Sequence, residues 1–210
     1  MRPSRWLWVL MLGAAAFGQT AQQHHPPRSA EEYARVLNDP QRDLWQLPDQ
    51  VVEALRLKPG DVVADIGAGT GYFSRRLARR AAKVYAVDID PKLLEYARRD
   101  APANLETVLA TPDDPKLAAR SVDLIFICDV LHHIENRAAY YAKLERALKP
   151  GGRIVNIDFF KKPTPMGPPL EMRLSEEQVI GELAAAGFRK AASYDLLPYQ
   201  YYLVFERAKR

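Results

Sequence analysis

The chain has 210 residues, room for one domain with short appendages. A hydrophobic content of 48% suits a globular protein with a core, and a net charge of +4 is too small an excess to hold nucleic acid by bulk charge. The single cysteine, Cys128, excludes a disulfide framework and a cysteine metal site, and after Leu124-Ile125-Phe126-Ile127 it reads as a small buried hydrophobe.

The first residues read as a leader. Arg2 and Arg5 precede an apolar run from Trp6 to Phe17, and Ala16-Phe17-Gly18 supplies the exit for a signal peptidase. The run is too short to span a bilayer comfortably. Residues 1–18 are therefore expected to be a signal peptide that exports the domain to the periplasm or the medium. An uncut anchor with the domain outside is the alternative, and a cytoplasmic protein follows if the leader is not used. Residues 19–30 form a polar linker, in which His24 and His25 read as part of a disordered tail, with contact to a metal as the alternative. The domain takes residues 31–210, and its first part, 31–60, is a helical segment that can serve as a lid.

No internal repeat is present. A short helix is predicted from Ala30 to Leu37. Pro48 opens another from Asp49 to Leu57, with Val51, Ala54 and Leu55 on one face, stopped by Lys58-Pro59-Gly60. Val62 to Ile66 is a buried strand. A glycine loop leads into a helix to about Arg80, with Phe73, Leu77 and Ala78 inward and Arg75, Arg76, Arg79 and Arg80 on a solvated face. Lys83 to Val87 is the second strand, and Pro91 opens a helix to Arg99. Leu105 to Leu109 is the third strand. Val122 to Cys128 is the fourth, apolar on both faces as a central parallel strand must be. Tyr141, Leu144 and Leu148 mark a helix stopped by Lys149-Pro150-Gly151-Gly152, and Arg153 to Phe159 is the fifth strand. Ser175 caps the last helix, with Gln178 completing a capping box, Val179, Ile180 and Leu183 buried and Gly187 as the stop. Phe188 to Tyr194 and Tyr201 to Phe205 close the domain as an antiparallel hairpin, with Tyr199, Tyr201 and Tyr202 packing. Five strand–helix units imply a doubly wound parallel sheet with helices on both faces.

In such sheets the ligand sits at the carboxyl ends of the strands, where the strand order reverses. The first strand runs into Asp65-Ile66-Gly67-Ala68-Gly69-Thr70-Gly71. Glycines let the chain turn sharply and let a ligand approach the bare backbone, and the following helix is expected to direct its positive end there. The spacing is G-x-G-x-G and not the dinucleotide G-x-G-x-x-G, with Tyr72 where the third dinucleotide glycine belongs. Asp65 would repel a pyrophosphate but suits an ammonium or sulfonium. Asp88 ends the second strand, where a carboxylate accepts hydrogen bonds from ribose hydroxyls. The pair points to a ligand with a ribose, an amino group and no phosphate.

These residues carry a family resemblance. Val62 to Ser74, VVADIGAGTGYFS, resembles the first motif of class I S-adenosylmethionine methyltransferases, and Asp88-Ile89 resembles the second. Asp129-Val130-Leu131-His132-His133-Ile134 is similar to their segment after the fourth strand, and Leu148-Lys149-Pro150-Gly151-Gly152-Arg153 to the turn before the fifth. Four motifs in order, over residues 49 to 207, make the match specific. The resemblance implies a Rossmann-like seven-stranded mixed sheet of order 3-2-1-4-5-7-6 with the last strand antiparallel, and S-adenosyl-L-methionine as cofactor. It also implies that Gly67, Ala68, Gly69 and Gly71 meet the methionine part through the backbone. Asp65 would hold the amino group, Asp88 the ribose, and Ile89 would pack on the adenine. Asp129 and Val130 would line the cofactor from the fourth strand. The family's aspartate after the third strand is replaced: Thr111 takes the position and Asp113 can substitute. Asp113 and Asp114 read equally as a helix cap before Lys116 and Leu117.

Methyl transfer of this kind is an in-line displacement at a carbon activated by positive sulfur, so the protein mainly aligns the acceptor. If the nucleophile must lose a proton, His132 and His133 are the candidate bases, since histidine titrates near neutrality; packed loop histidines are the alternative. Asp158 can also face the acceptor. Arg42-Asp43-Leu44-Trp45-Gln46 and the proline loop from Lys161 to Pro169 would build its pocket, or else Trp45 is packing and the loop a connector. The acceptor is expected to be a small molecule, with no nucleic acid, no metal and no membrane span after cleavage. Two other readings compete: an exported S-adenosylmethionine-binding protein without catalysis, and a nicotinamide oxidoreductase. The glycine spacing and Asp65 oppose the second.

Overall fold

The computed structural model describes residues 29–209, so the leader, most of the linker, His24 and His25 lie outside the described residues. The chain begins with helices α1 (Ala30–Leu37), α2 (Asp43–Gln46) and α3 (Pro48–Ala54), then alternates through β1 (Val62–Ile66), α4 (Ser74–Ala78), β2 (Lys83–Asp88), α5 (Pro91–Arg98), β3 (Leu105–Leu109), β4 (Val122–Cys128), α6 (Arg137–Ala147) and β5 (Leu148–Phe159). It closes with α7 (Glu176–Ala185), β6 (Phe188–Tyr194) and β7 (Gln200–Arg207). The seven strands form one sheet of order β3-β2-β1-β4-β5-β7-β6. The first five strands pair in parallel, and β7 runs antiparallel to both β5 and β6. This is the expected topology, and it puts the ends of β1, β2, β4 and β5 on one rim.

The sheet separates two cores. On one face Ile125, Ile127, Ile154 and Leu203 pack with Tyr141, Leu144, Val179 and Leu183 of α6 and α7. On the other, Val63, Leu124, Phe126 and Val155 pack with Val51 and Val52 of α3 and Phe73 and Leu77 beside and within α4. β4 has apolar residues in both cores because its alternate side chains leave a doubly covered strand on opposite faces.

Several expectations need correction. The expected linker ends early, because Ser29 caps α1 in a full capping box with Glu32 and Ala30 is already helical. α3 is core and not lid, since Val51, Val52 and Leu55 are buried. It also ends at Ala54, short of Leu57. Leu148 is the first residue of β5, paired with Val122, and not the end of α6. Pro150 disfavours helical geometry at the residue before it, which helps turn the chain out of the helix. Residues 110–121 hold no helix, so Asp113 and Asp114 are not a helix cap; Pro112 and Pro115 interrupt the segment, and Lys116 and Arg120 have left-handed φ angles of 56° and 52°. The capping box of α7 is only half made: Ser175 Oγ accepts from Gln178 N, while the Gln178 side chain donates to Glu182. Arg75 and Arg76 are not simply solvated. Arg75 donates to the carbonyls of Thr70, Tyr96 and Arg99, and Arg76 to Tyr72 O and the Asp43 carboxylate.

Leu47, between α2 and α3, is left-handed at φ 43° and ψ 55° and stands directly before Pro48. Among the described residues no helix is long and apolar enough to cross a membrane.

Candidate active site at the carboxyl rim of the sheet

The glycine loop leaves β1 with Gly67, Gly69 and Gly71 at φ 70°, 55° and 83°. Two of these must be glycine for a second reason. A Cβ on Gly67 would collide with the Val130 side chain, and one on Gly69 would lie 2.9 Å from Leu37 Cδ1. The loop's N–H groups are largely engaged internally: Gly67 and Ala68 donate to Val87 O, Gly69 to Asp88 Oδ2 and Gly71 to Ala68 O. A phosphate needs free N–H donors, so this loop is poorly equipped for one. It does offer backbone carbonyls, which suit a donor such as an ammonium. The helix that follows does not supply the expected positive end. α4 starts only at Ser74 and has 5 residues, and the Ser74 hydroxyl donates to Asp65 Oδ2 at 2.5 Å instead of capping.

Asp65 is 3% exposed, and burial pushes its pKa up to about 7 against the opposing Ser74 hydrogen bond. Asp88 accepts from Gly69 N at 2.7 Å and from Asp90 N at 2.9 Å, one bond to each oxygen, so each oxygen keeps a lone pair for a ligand hydroxyl. Burial raises the Asp88 pKa against backbone hydrogen bonds from Asp90, Gly69 and Ile89. Beside it, Ile89 and Leu109 are 50% and 54% exposed, an uncommon state for large aliphatics and a ready surface for a flat apolar ring. Thr111 Oγ1 donates to Asp113 Oδ1 at 2.8 Å, and that bond, with Lys143, holds the Asp113 carboxyl below its ordinary range. Both residues are exposed at the end of β3.

At the ends of β4 and β5 lies a second polar group. His132 Nδ1 is 3.0 Å from both oxygens of Asp158, and the two side chains are 3% and 0% exposed. Burial works to lower the His132 pKa, but the hydrogen bond to Asp158 and that residue's charge outweigh it and raise the value. The His133 ring stacks at 4.2 Å from that of His132. Asp129, left-handed at φ 60°, accepts from Gln200 Nε2 at 2.6 Å, and burial followed by the Asp158 charge raises its pKa. The proline loop arches nearby, fixed by buried Arg173, which donates to the carbonyls of Phe160, Lys162, Met166 and Pro168. The Trp45 ring stands 5.6 Å from Phe159 at the end of β5 and packs against it.

Sequence reasoning missed how tightly the N-terminal segment closes this rim. Thr70 Oγ1 donates to Asn38 at 2.8 Å, Tyr72 donates to Asp43, and Arg42 lies 4.0 Å over the Tyr72 ring. Gln46 is fully buried and donates to Gln200 Oε1 at 2.5 Å, which links it through Gln200 to Asp129. The signal was a glutamine in an otherwise unremarkable segment; its partner is 154 positions away. Every expected site residue lies along this rim, in two groups: Asp65, the glycines, Asp88, Ile89, Thr111 and Asp113 toward β1–β3, and Asp129, Val130, His132, His133 and Asp158 toward β4–β5. Among the described residues no His, Cys, Asp and Glu cluster could hold a metal ion.

A cofactor with an ammonium, a ribose, an adenine and no phosphate fits these residues: buried Asp65 beside the glycine loop, Asp88 with lone pairs to spare, and two exposed aliphatics. Comparison with known proteins agrees. Residues 64–156 match the family model of a methyltransferase domain. A bifunctional biotin biosynthesis protein of Cellvibrio japonicus is 39% identical over 89 residues, 42% of this chain and 18% of its own length. A demethylmenaquinone methyltransferase of Tropheryma whipplei is 36% identical over 107 residues, 50% of this chain and 44% of its own. The chain thus spans less than half of either curated relative. The crystal structure of a SAM-dependent methyltransferase from Aquifex aeolicus superposes with a TM-score of 0.79 at 26% identity, covering 87% of this chain and 100% of that one.

Proposed function

We propose that this chain, a class I S-adenosylmethionine-dependent methyltransferase, transfers the cofactor's methyl group to a hydroxyl of a small-molecule acceptor. The observation that carries the finer reading is the buried His132–Asp158 pair at the ends of β4 and β5. When bound, S-adenosylmethionine supplies an electrophilic methyl on positive sulfur. Asp65 and the carbonyls of the glycine loop hold the ammonium. Asp88 takes the ribose hydroxyls, Ile89 and Leu109 flank the adenine, and Thr111 with Asp113 borders it. Asp129 and Val130 line the methionine side. Asp158 accepts the Nδ1 proton of His132, which fixes the tautomer that leaves Nε2 as a base. Nε2 takes the acceptor's hydroxyl proton, and Asp158 offsets the charge that develops on the ring. An amine arrives at the methyl with its own lone pair and needs such a base less, which is why the pair favours an oxygen nucleophile. The relatives' acceptors vary, and a small acceptor is consistent with the demethylmenaquinone enzyme.

Calorimetry of the purified protein with S-adenosylhomocysteine and with NAD tests the cofactor part; binding of the first only is expected, and binding of the dinucleotide overturns it. Turnover with alcohols and phenols tests the acceptor part. Cofactor binding with no transfer to any hydroxyl would favour a binding protein without catalysis.

The raised pKa of Asp65 makes binding pH-dependent. Below about 7 the carboxyl is protonated. A ligand ammonium needs the ionised form, so binding releases a proton. Affinity for S-adenosylhomocysteine should therefore rise as pH increases through that value, by up to roughly tenfold per pH unit on its acid side, and level off above it. The Asp65→Asn variant should bind more weakly and lose most of the slope. A flat wild-type profile from pH 5.5 to 8 counts against Asp65 as the ammonium's partner.

A further inference from the structure

Nothing in the methyl-transfer site uses Arg79 or Arg80. On the sheet face away from α6 and α7, a cavity of about 290 Å³ opens between α3 and the end of α4, lined by Asp49, Val52, Arg76, Arg79 and Arg80. Arg75, next to them in sequence, is occupied by three carbonyls. The lining arginines keep donors to spare. Arg79 and Arg80 are exposed, and among the described residues neither side chain has a hydrogen-bond or ion-pair partner. Arg76 gives Nη1 to Tyr72 O and Nη2 to Asp43, but its Nε stands 3.9 Å from Asp49 Oδ1, beyond hydrogen-bond reach. Asp49 is the one carboxylate among the lining residues, and its side chain is 91% exposed. Three guanidinia at i, i+3 and i+4 therefore face one loosely held carboxylate. Like charges at that spacing destabilise a helix, and a bound anion relieves the repulsion.

We propose that Arg76 Nε, Arg79 and Arg80 form a second binding site, for the dianionic phosphate of a phosphate monoester, either free in solution or on a lipid headgroup. At neutral pH such a group brings close to two negative charges and three terminal oxygens. A carboxylate brings one charge and two oxygens and leaves part of the cleft unanswered. Guanidinium matches phosphate with paired N–H donors, and all three cations here are arginine and none lysine. The volume lies just under the roughly 300 Å³ at which small-molecule sites begin, which fits a compact head group and not a whole nucleotide. Val52 offers an apolar contact to the carbon side of the ester. Arg76 binds through Nε alone, so its bonds to Tyr72 O and Asp43 stay and the site fills without opening the rim.

The test uses the full chain and two probes at constant ionic strength. Calorimetry with glycerol 3-phosphate reads a free phosphate ester. Sedimentation with phosphatidylcholine vesicles, with and without phosphatidic acid, reads a lipid-borne one, as the increment that phosphatidic acid adds. Binding of the first probe identifies a soluble ester as the occupant, and an increment on vesicles alone identifies a headgroup; either supports the site. Combined Arg79→Gln and Arg80→Gln should weaken whichever binding is seen by about tenfold or more, the scale of one charge-assisted hydrogen bond, and leave S-adenosylhomocysteine affinity unchanged. Asp49→Asn removes the competing carboxylate and should tighten it by about two- to threefold, as for an exposed ion pair. Arg189→Gln lowers the net charge equally per residue on the β6 edge and should change nothing. If the double variant folds poorly, Arg80→Gln alone replaces it, with a smaller loss of about threefold expected. A wild type that binds neither probe, arginine variants that bind as wild type does, or an equal loss in Arg189→Gln overturns the proposal and returns Arg79 and Arg80 to a solvated helix end.

Discussion

Replacing His132 by asparagine is expected to lower kcat by about 10²–10⁴-fold, the usual range for a positioned general base, while affinity for S-adenosylhomocysteine changes by less than about twofold. His132 sits toward β4 and β5, away from Asp65 and Asp88, so a loss confined to turnover separates a catalytic from a binding role. The pH profile adds an independent readout. The base works only as neutral imidazole, so kcat should rise with pH through the His132 pKa. That pKa lies above the ordinary 6.5 because Asp158 stabilises the charged ring. Asp158→Asn removes the charge and leaves burial, which lowers the value, so the inflection should move to lower pH while the plateau falls through loss of tautomer control. Steady-state kinetics from pH 5.5 to 9 measures both. An Asp158→Asn profile that coincides with wild type, or full turnover in His132→Asn, removes the pair from the reaction.

Asp88→Ala is expected to weaken S-adenosylhomocysteine binding by about 100-fold. Two charge-assisted bonds to ribose hydroxyls at about 1.5 kcal/mol each amount to about 3 kcal/mol. The same change strips the acceptor from Gly69 N and Asp90 N, at about 1–3 kcal/mol for each group left buried without a partner. Stability therefore has to be followed by thermal unfolding alongside calorimetry. Asp88→Asn keeps an acceptor for one of those N–H groups and should fold better, yet it still loses the charge, with a loss of about tenfold. Affinity unchanged in either variant would take Asp88 out of the site.

Much of the sheet was legible because its signals are local. β1, β3 and β4 span the residues expected of them, β4 because its apolar run is long and continuous, and Pro91 and Gly187 mark the helix start and stop that their backbone restrictions impose. The β1–β3 half of the site was legible for the same reason: Asp65, the glycines and Asp88 sit at element ends, where the chain itself reaches the rim. The N-terminal segment was legible only as a helical stretch. Gln46 meets Cys128 and Gln200 across 82 and 154 positions, and no periodicity connects residues so far apart. Arg75 shows the reverse error. Helical spacing placed it on a solvated face, but the turn at residues 70–73 and the end of α5 bring three carbonyls within its reach. Residues 110–121 failed because two aspartates beside a lysine and a leucine match a helix start in composition, while Pro112 and Pro115 interrupt the segment.

Leu47 gives the closed segment a temper of its own. A branched side chain in the left-handed region, directly ahead of a proline that favours extension, costs of order 1–3 kcal/mol. The arm from α1 to α2 is thus latched against a wound spring at its α3 end. Any rearrangement that let Leu47 unwind would recover that energy, so the strain offsets part of what the buried Gln46 contacts contribute to holding the segment in place.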